Sequence, residues 1–272
     1  MDDLVTTKWL AGHLGESDIA IVDASLFLDA RDAKAEFAEH HIPNARFLDI
    51  KAVSDPARPG LGMLPGAAEF AAAMEALGVG SGDRIIVYDN SPLRSAVRGW
   101  FMFRHFGARD VAILDGGLGK WREEGRPTHS GETGKRTVRF TATERSDVVA
   151  QADVLSGPPV LDARGKARFE GTEPDPRPGV ADGHIPGSRN LPYAALWNED
   201  GTMKSLAEVE AAFATAGVDP AAPFTASCGS GVTANSLIFA AHRLGHDTGV
   251  LYDGSWSEWG ADPASPKETG PV

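Results

Sequence analysis

The sequence predicts an α/β protein built from two tandem domains, each a mainly parallel sheet flanked by helices. Three observations carry that reading. Short apolar segments of strand length alternate with amphipathic segments of helix length along the chain, and strands that alternate with helices pair in parallel with both sheet faces covered. The second half then repeats landmarks of the first at a spacing of about 140 residues. Val160-Leu161-Asp162-Ala163-Arg164 echoes Val22-Asp23-Ala24-Ser25, and Gly183-His184-Ile185-Pro186-Gly187 echoes His41-Ile42-Pro43. Asp253-Gly254-Ser255-Trp256-Ser257-Glu258-Trp259 echoes Asp115-Gly116-Gly117-Leu118-Gly119-Lys120-Trp121. The third observation is an asymmetry between the copies. The only cysteine, Cys228, lies in the second, where the first carries Asp89.

Taken in order, residues 4–14 form a short amphipathic opening with Trp9, Leu10 and Leu14 apolar. Residues 19–24 read as a buried strand ending in an acid, and 31–40 as a charged helix broken at His40-His41-Ile42-Pro43. Residues 47–50 are a short apolar piece, and a Pro/Gly-containing loop from Asp55 to Gly66 leads to an Ala-rich helix over 67–77. Residues 84–88 are the clearest strand of the first half, followed by a turn at Asp89-Asn90-Ser91-Pro92 and a helix from Ser95 to Phe106 ended by Gly107. Residues 111–114 form a strand and 118–124 a helix. The stretch 125–152 is polar and aperiodic and reads as a linker. The expected domains are therefore 1–124 and 153–272, the latter with a C-terminal tail. That tail, Ala261 to Val272 with its three prolines, is expected to be disordered or to lie across the first domain.

Composition narrows the function classes. The chain has 272 residues, 42% hydrophobic and 24% charged, and a formal net charge of −12. That charge argues against nucleic acid or an anionic membrane as partner. One cysteine forms no internal disulfide, which favours a reducing compartment. The first residues lack a signal-peptide pattern, and no apolar run approaches a membrane span, so the expected localisation is cytoplasmic. The eight histidines show no ligand-like spacing beyond the adjacent pair His40-His41, so no metal and no organic cofactor is expected.

Around Cys228 the pattern is chemical. Residues 223–227 read as a short strand, and 232–244 carries apolar residues at helical spacing, with Gly245 after it. The thiol then sits at a strand end, where sites of parallel sheets lie. Its loop holds Gly229 and Gly231 ahead of a helix N-terminus. Backbone amides and the helix dipole favour an anion there and favour the thiolate over the thiol. The bland alternative is a small buried hydrophobe. A second alternative is a dinucleotide fingerprint, Gly229-x-Gly231-x-x-Ala234, with Asp253 in the ribose position. It lacks the further strands such a fold needs, since about 40 residues remain after Gly229.

The paired D-A-[RS], H-I-P-[GN]-[AS] and D-G-[GS]-x-x-x-W segments, with one cysteine loop in the second copy, resemble the tandem rhodanese-domain sulfurtransferases over essentially the whole chain. The loop from Cys228 to Thr233 is similar to that of the family's 3-mercaptopyruvate branch. The thiosulfate branch usually carries basic residues where this chain has Gly229 and Ser230. The resemblance implies a Cys228 nucleophile that takes sulfur from a small-molecule donor, 3-mercaptopyruvate or else thiosulfate. The sulfur then passes as a persulfide to a small thiol, a reduced thioredoxin-like protein or cyanide. It implies that Gly229, Gly231 and Val232 of the loop bind the substrate, that the Ser230 and Thr233 hydroxyls take part in catalysis, and that Arg168 and Arg177 hold the substrate carboxylate and keto group. Arginine suits that task because its planar fork binds a carboxylate through two hydrogen bonds; the alternative is two solvated surface arginines. The resemblance also allows His41, with Asp32, to approach the active site from the first domain. A histidine bracing its own turn is the alternative, and for His184 the preferred one.

Two other functions remain to be weighed. Cysteine phosphatases of similar fold place an arginine six residues after the cysteine, where this chain has Ala234. A non-enzymatic persulfide carrier would share the loop but would not require the two arginines.

Overall fold

The computed structural model describes residues 1–58 and 62–272, so the loop expected between Asp55 and Gly66 lies partly outside the described residues. The chain forms two compact units. The first contains Met1–Ala57, Leu64–Arg145 and Glu199–Met203; the second contains Ser146–Asn198 and Lys204–Val272, together with Arg58 and Met63.

The first unit runs β1 (Leu4–Val5), α1 (Thr7–His13), β2 (Ile19–Asp23), α2 (Ala33–Glu39), β3 (Arg46–Phe47), α3 (Ala67–Leu77), β4 (Arg84–Tyr88), α4 (Ala96–His105), β5 (Asp110–Leu114) and α5 (Gly117–Glu123). Its sheet has the order β1-β5-β4-β2-β3, parallel throughout. β2 is buried at every residue and β4 at every residue but its first. That is the continuous apolar signature of strands covered on both faces.

The second unit runs β6 (Val160–Asp162), α6 (Lys166–Glu170), β7 (Arg189–Asn190), α7 (Leu206–Thr215), β8 (Phe224–Ser227), α8 (Asn235–Arg243), β9 (Gly249–Leu251) and α9 (Ser255–Trp259). Its order, β7-β6-β8-β9, is again parallel. The four strands follow the same order as β3-β2-β4-β5, so the sequence repeat is a repeat of topology. β1 is a strand only in the first unit; its counterpart is the single parallel bridge between Val148 and Leu251.

Two of the repeated motifs do the same structural job twice. Trp121 donates from Nε1 to the Pro127 carbonyl and Trp259 to that of Pro266, both at 2.8 Å, pinning the chain that leaves α5 and α9. His41 stacks on Phe37 at 4.2 Å between centroids, with Nδ1 2.7 Å from the Phe37 carbonyl oxygen. His184 stacks on Phe169 at 4.0 Å, with Nδ1 2.9 Å from that residue's carbonyl oxygen. The motif acids differ. Asp23 is fully buried; burial, opposed by hydrogen bonds from Ser25, pushes its carboxyl up to about 6. Asp162, equally buried, receives Arg164 from the third position of its own motif.

Two segments differ from the sequence expectation. The stretch 125–152 is divided: through Arg145 it belongs to the first unit, and from Ser146 to the second. Single side chains anchor its first part. Arg136 bonds both oxygens of Asp83 at 2.9 Å, and Phe140 is buried against Phe70 and Phe103. Isolated anchors of this kind leave no periodicity to read. The C-terminal tail is ordered and straps its own unit. His184 and Glu268 exchange backbone hydrogen bonds, and the Gly270 N–H donates to the Glu170 carbonyl.

Candidate active site

β8 delivers Cys228 at its carboxyl end, with the residue 1% exposed. α8 begins at Asn235, three residues later than periodicity suggested, because residues 228–234 are spent on a loop. Asn235 shapes that loop from the helix side: Nδ2 donates to the carbonyls of Gly231 at 2.7 Å and Val232 at 3.0 Å. The amides of Gly229, Ser230, Val232, Thr233 and Ala234 have no acceptor among the described residues. Unspent amides ahead of a helix N-terminus are donors for an anion. The hydroxyls of Ser230 and Thr233, both half-buried, are likewise without a partner among the described residues.

Gly231 makes the loop possible. Its φ is +72°, and a β-carbon there would fall 2.4 Å from the Asp253 carbonyl oxygen. Gly231→Ala therefore adds a backbone collision to left-handed strain. It is expected to lower stability by more than about 2 kcal/mol in urea denaturation, with most of the activity lost.

The aligned loop of the first unit is filled differently. Asp89 occupies the cysteine position and fills its own loop: Oδ1 accepts the Ser91 N–H at 2.9 Å and Oδ2 the Ala96 N–H at 2.6 Å. A resident carboxylate thus occupies the loop, and the Ser91 amide it satisfies aligns with the open amide of Ser230.

α6 and the turn after it bring Arg168 and Arg177 to the cysteine loop. A β-carbon on Gly229 would lie 3.4 Å from Arg177 Nη2 and 3.6 Å from Arg168 Nη2. Both guanidinium groups are held by one buried carboxylate, Asp175. Arg168 Nη2 bonds it at 2.8 Å, and Arg177 Nε and Nη2 bond it at 2.7 Å each. Burial raises the Asp175 carboxyl, but the hydrogen bonds from Arg177 and Arg168 outweigh it and hold it at about 2. The cluster thus carries one net positive charge beside the thiol.

The two arginines are not equivalent. Arg177 is the more heavily committed, because Nη1 also donates to the Gly229 carbonyl and to Ser257 Oγ, so that four of its five N–H donors are used. Arg168 gives a single hydrogen bond among the described residues and keeps its other donors. Asp175 is a residue that sequence reading missed; the visible signal was an acid two residues before Arg177 in a segment already singled out. Its lowered value makes a pH prediction. A carboxyl at about 2 folded and near 3.8 free contributes stability above pH 4 that is lost as pH falls towards 2. The stability gap between native protein and Asp175→Asn, read from urea unfolding, is expected to be open at pH 6 and to narrow steadily below about pH 4.

The remaining expected site residues make the following local contacts. Val232 is buried within the cysteine loop. Asp32 caps α2, accepting the N–H groups of Lys34 and Ala35. His41 is 2% exposed within the first unit and braces its turn as described above.

A buried cysteine at a parallel-strand end, in a loop of open amides beside an arginine pair, is an arrangement that can stabilise a thiolate and attract an anion. The Rhodanese-like domain family matches residues 6–124 and 144–262. The chain belongs to that family, as a tandem of two such domains. It is 39% identical over 270 residues to the 3-mercaptopyruvate sulfurtransferase of Mus musculus, covering 94% of this chain and 91% of that one. It is 40% identical over 271 residues to a thiosulfate sulfurtransferase of Cricetulus griseus, with the same coverage. The crystal structure of SseA from Escherichia coli, described as a 3-mercaptopyruvate sulfotransferase, superimposes with a TM-score of 0.85 at 38% identity. It covers 95% of this chain and all of that one. Among the described residues no helix is long and apolar enough to cross a membrane, and no group of three or more metal-ligating side chains occurs.

Proposed function

We propose that this protein is a sulfurtransferase that takes sulfur from 3-mercaptopyruvate onto Cys228 and passes it to a thiol, a thioredoxin-like protein or cyanide. The observation that carries the donor assignment is the Asp175-clamped pair Arg168 and Arg177 against Gly229. The Cys228 thiolate attacks the substrate sulfur; a new S–S bond forms, and the C–S bond breaks with its electron pair going to carbon. The product is the pyruvate enolate, which takes a proton at that carbon. Arg168, with donors to spare, binds the carboxylate and spreads the enolate charge, while Arg177 holds the loop. The open amides of the loop receive the charge on the persulfide, and Ser230 and Thr233 hydrogen-bond to the outer sulfur. An acceptor thiolate then attacks that outer sulfur and returns Cys228 to the thiolate. Two half-reactions through one covalent intermediate give ping-pong kinetics. The lone thiol is suited to a reducing compartment such as the cytoplasm.

Thiosulfate is the second reading, favoured by the likeness to the hamster enzyme. It is a dianion with charge next to the sulfur and is best served by cations at positions 229 and 230, where this chain has Gly229 and Ser230. Pyruvate release from 3-mercaptopyruvate, run beside thiosulfate with cyanide as acceptor, separates the two. A higher rate with 3-mercaptopyruvate is expected, and a thiosulfate preference would overturn the donor assignment. Turnover with neither donor would leave a persulfide carrier serving a protein partner.

A further inference from the structure

The catalytic copy departs from the other at one strained residue beside the thiol. Ser255 opens α9 with φ +51° and is fully buried. The aligned residue of the first unit, Gly117, opens α5 with φ +56°. There a β-carbon would lie 2.3 Å from the Asp89 carbonyl oxygen. Glycine is the residue such a backbone favours, and a non-glycine residue in the left-handed region carries strain. The unit with Asp89 has the glycine; the unit with Cys228 keeps a side chain.

That side chain meets the nucleophile. Ser255 Oγ accepts the Cys228 N–H at 3.0 Å, donates to the Tyr252 carbonyl at 2.9 Å, and lies 4.0 Å from Cys228 Sγ. A hydroxyl has one hydrogen to give. Against a neutral thiol the carbonyl is the better acceptor, whereas a charged sulfur makes the stronger, charge-assisted bond. The Cys228 amide keeps the oxygen beside the sulfur, so a rotation of the O–H and a small closing of the 4.0 Å gap make the bond.

We propose that Ser255 is a positioning residue for sulfur transfer: its hydroxyl hydrogen turns from the Tyr252 carbonyl to Cys228 Sγ whenever that sulfur is a thiolate. It does so twice per cycle. The first occasion is the attacking nucleophile, after the thiol proton has left to solvent. The second is the leaving group, when the acceptor thiolate bonds the outer sulfur and the S–S electron pair returns to Sγ. The inference rests on Cys228 being the nucleophile.

Ser255→Gly tests it, since glycine suits the backbone angle of φ +51° and removes the hydroxyl together with its β-carbon. With a single cysteine in the chain, ultraviolet thiolate absorbance taken as a difference from Cys228→Ser reports this one sulfur and needs no substrate. The midpoint is expected to rise by about one pH unit in Ser255→Gly. Its kcat/KM should fall about tenfold below that midpoint and recover towards native above it. Thermal melting no lower than native would show the fold intact, and Ser255→Ala supplies a second variant lacking the hydroxyl. A native midpoint in either folded variant, with Cys228→Ser inactive, overturns the role of Ser255 alone. Native turnover in Cys228→Ser overturns the nucleophile and this inference together.

Discussion

Cys228→Ser is expected to abolish pyruvate release from 3-mercaptopyruvate, a loss on the order of 10⁴-fold or more, with little change in melting temperature. Serine fits the volume left by the thiol in its buried position, and the backbone contacts that hold residue 228 are independent of sulfur: its N–H donates to Ser255 and its carbonyl accepts from Trp256. What disappears is a nucleophile that can carry sulfur as a stable persulfide. A hydroxyl beside the same open amides has no equivalent intermediate. The check is a pair of measurements on one preparation, turnover and thermal unfolding. Residual activity within tenfold of native would place the chemistry on another residue.

The second large effect is on stability. Arg164→Ala is expected to lower unfolding free energy by about 3–5 kcal/mol, measured by urea denaturation at neutral pH. Both partners of the Arg164–Asp162 pair are almost completely buried, with side chains 3% and 2% exposed. Arg164 bonds Asp162 through Nε at 3.0 Å and Nη2 at 2.7 Å, donates to the Gly183 carbonyl at 2.8 Å, and lies over Trp256 at 4.6 Å. Removing it strands a carboxylate and a carbonyl in the core of the second unit. Asp162→Asn-Arg164→Leu, which removes both charges, is expected to lose much less than Arg164→Ala. An Arg164→Ala variant within about 1 kcal/mol of native would mean that water relieves the stranded charge.

These two predictions mark what the sequence could and could not carry. Strand and helix segments were legible because buried parallel strands read as continuous apolar runs and their helices carry apolar stripes; β4 and α3 fall at the expected residues. The repeat was legible because it needs only comparison of the chain with itself. Cys228 stood out by being alone and by its glycines. The partners that give the site its electrostatics were not legible in the same way. Asp175 meets Arg168 and Arg177 only once α6 and its turn have folded back on the cysteine loop. Ser255 reaches the thiol from β9 and α9, and in sequence it is one residue of a turn that the first copy fills with glycine. The loop itself displaced the start of α8, since Val232 to Ala234 have helix-compatible composition but are held by Asn235 outside the helix. Phe140 and Arg136, single anchors in a polar stretch, gave no pattern at all.

The central claim is that sulfur resides on Cys228 between two half-reactions. The most direct measurement mixes the protein with one equivalent of 3-mercaptopyruvate and no acceptor, then follows pyruvate and the mass of the intact chain. The account predicts one pyruvate released per chain and a gain of one sulfur atom, located on the Cys228 peptide and removed by a thiol or cyanide. Pyruvate released with no sulfur retained on Cys228 would contradict it.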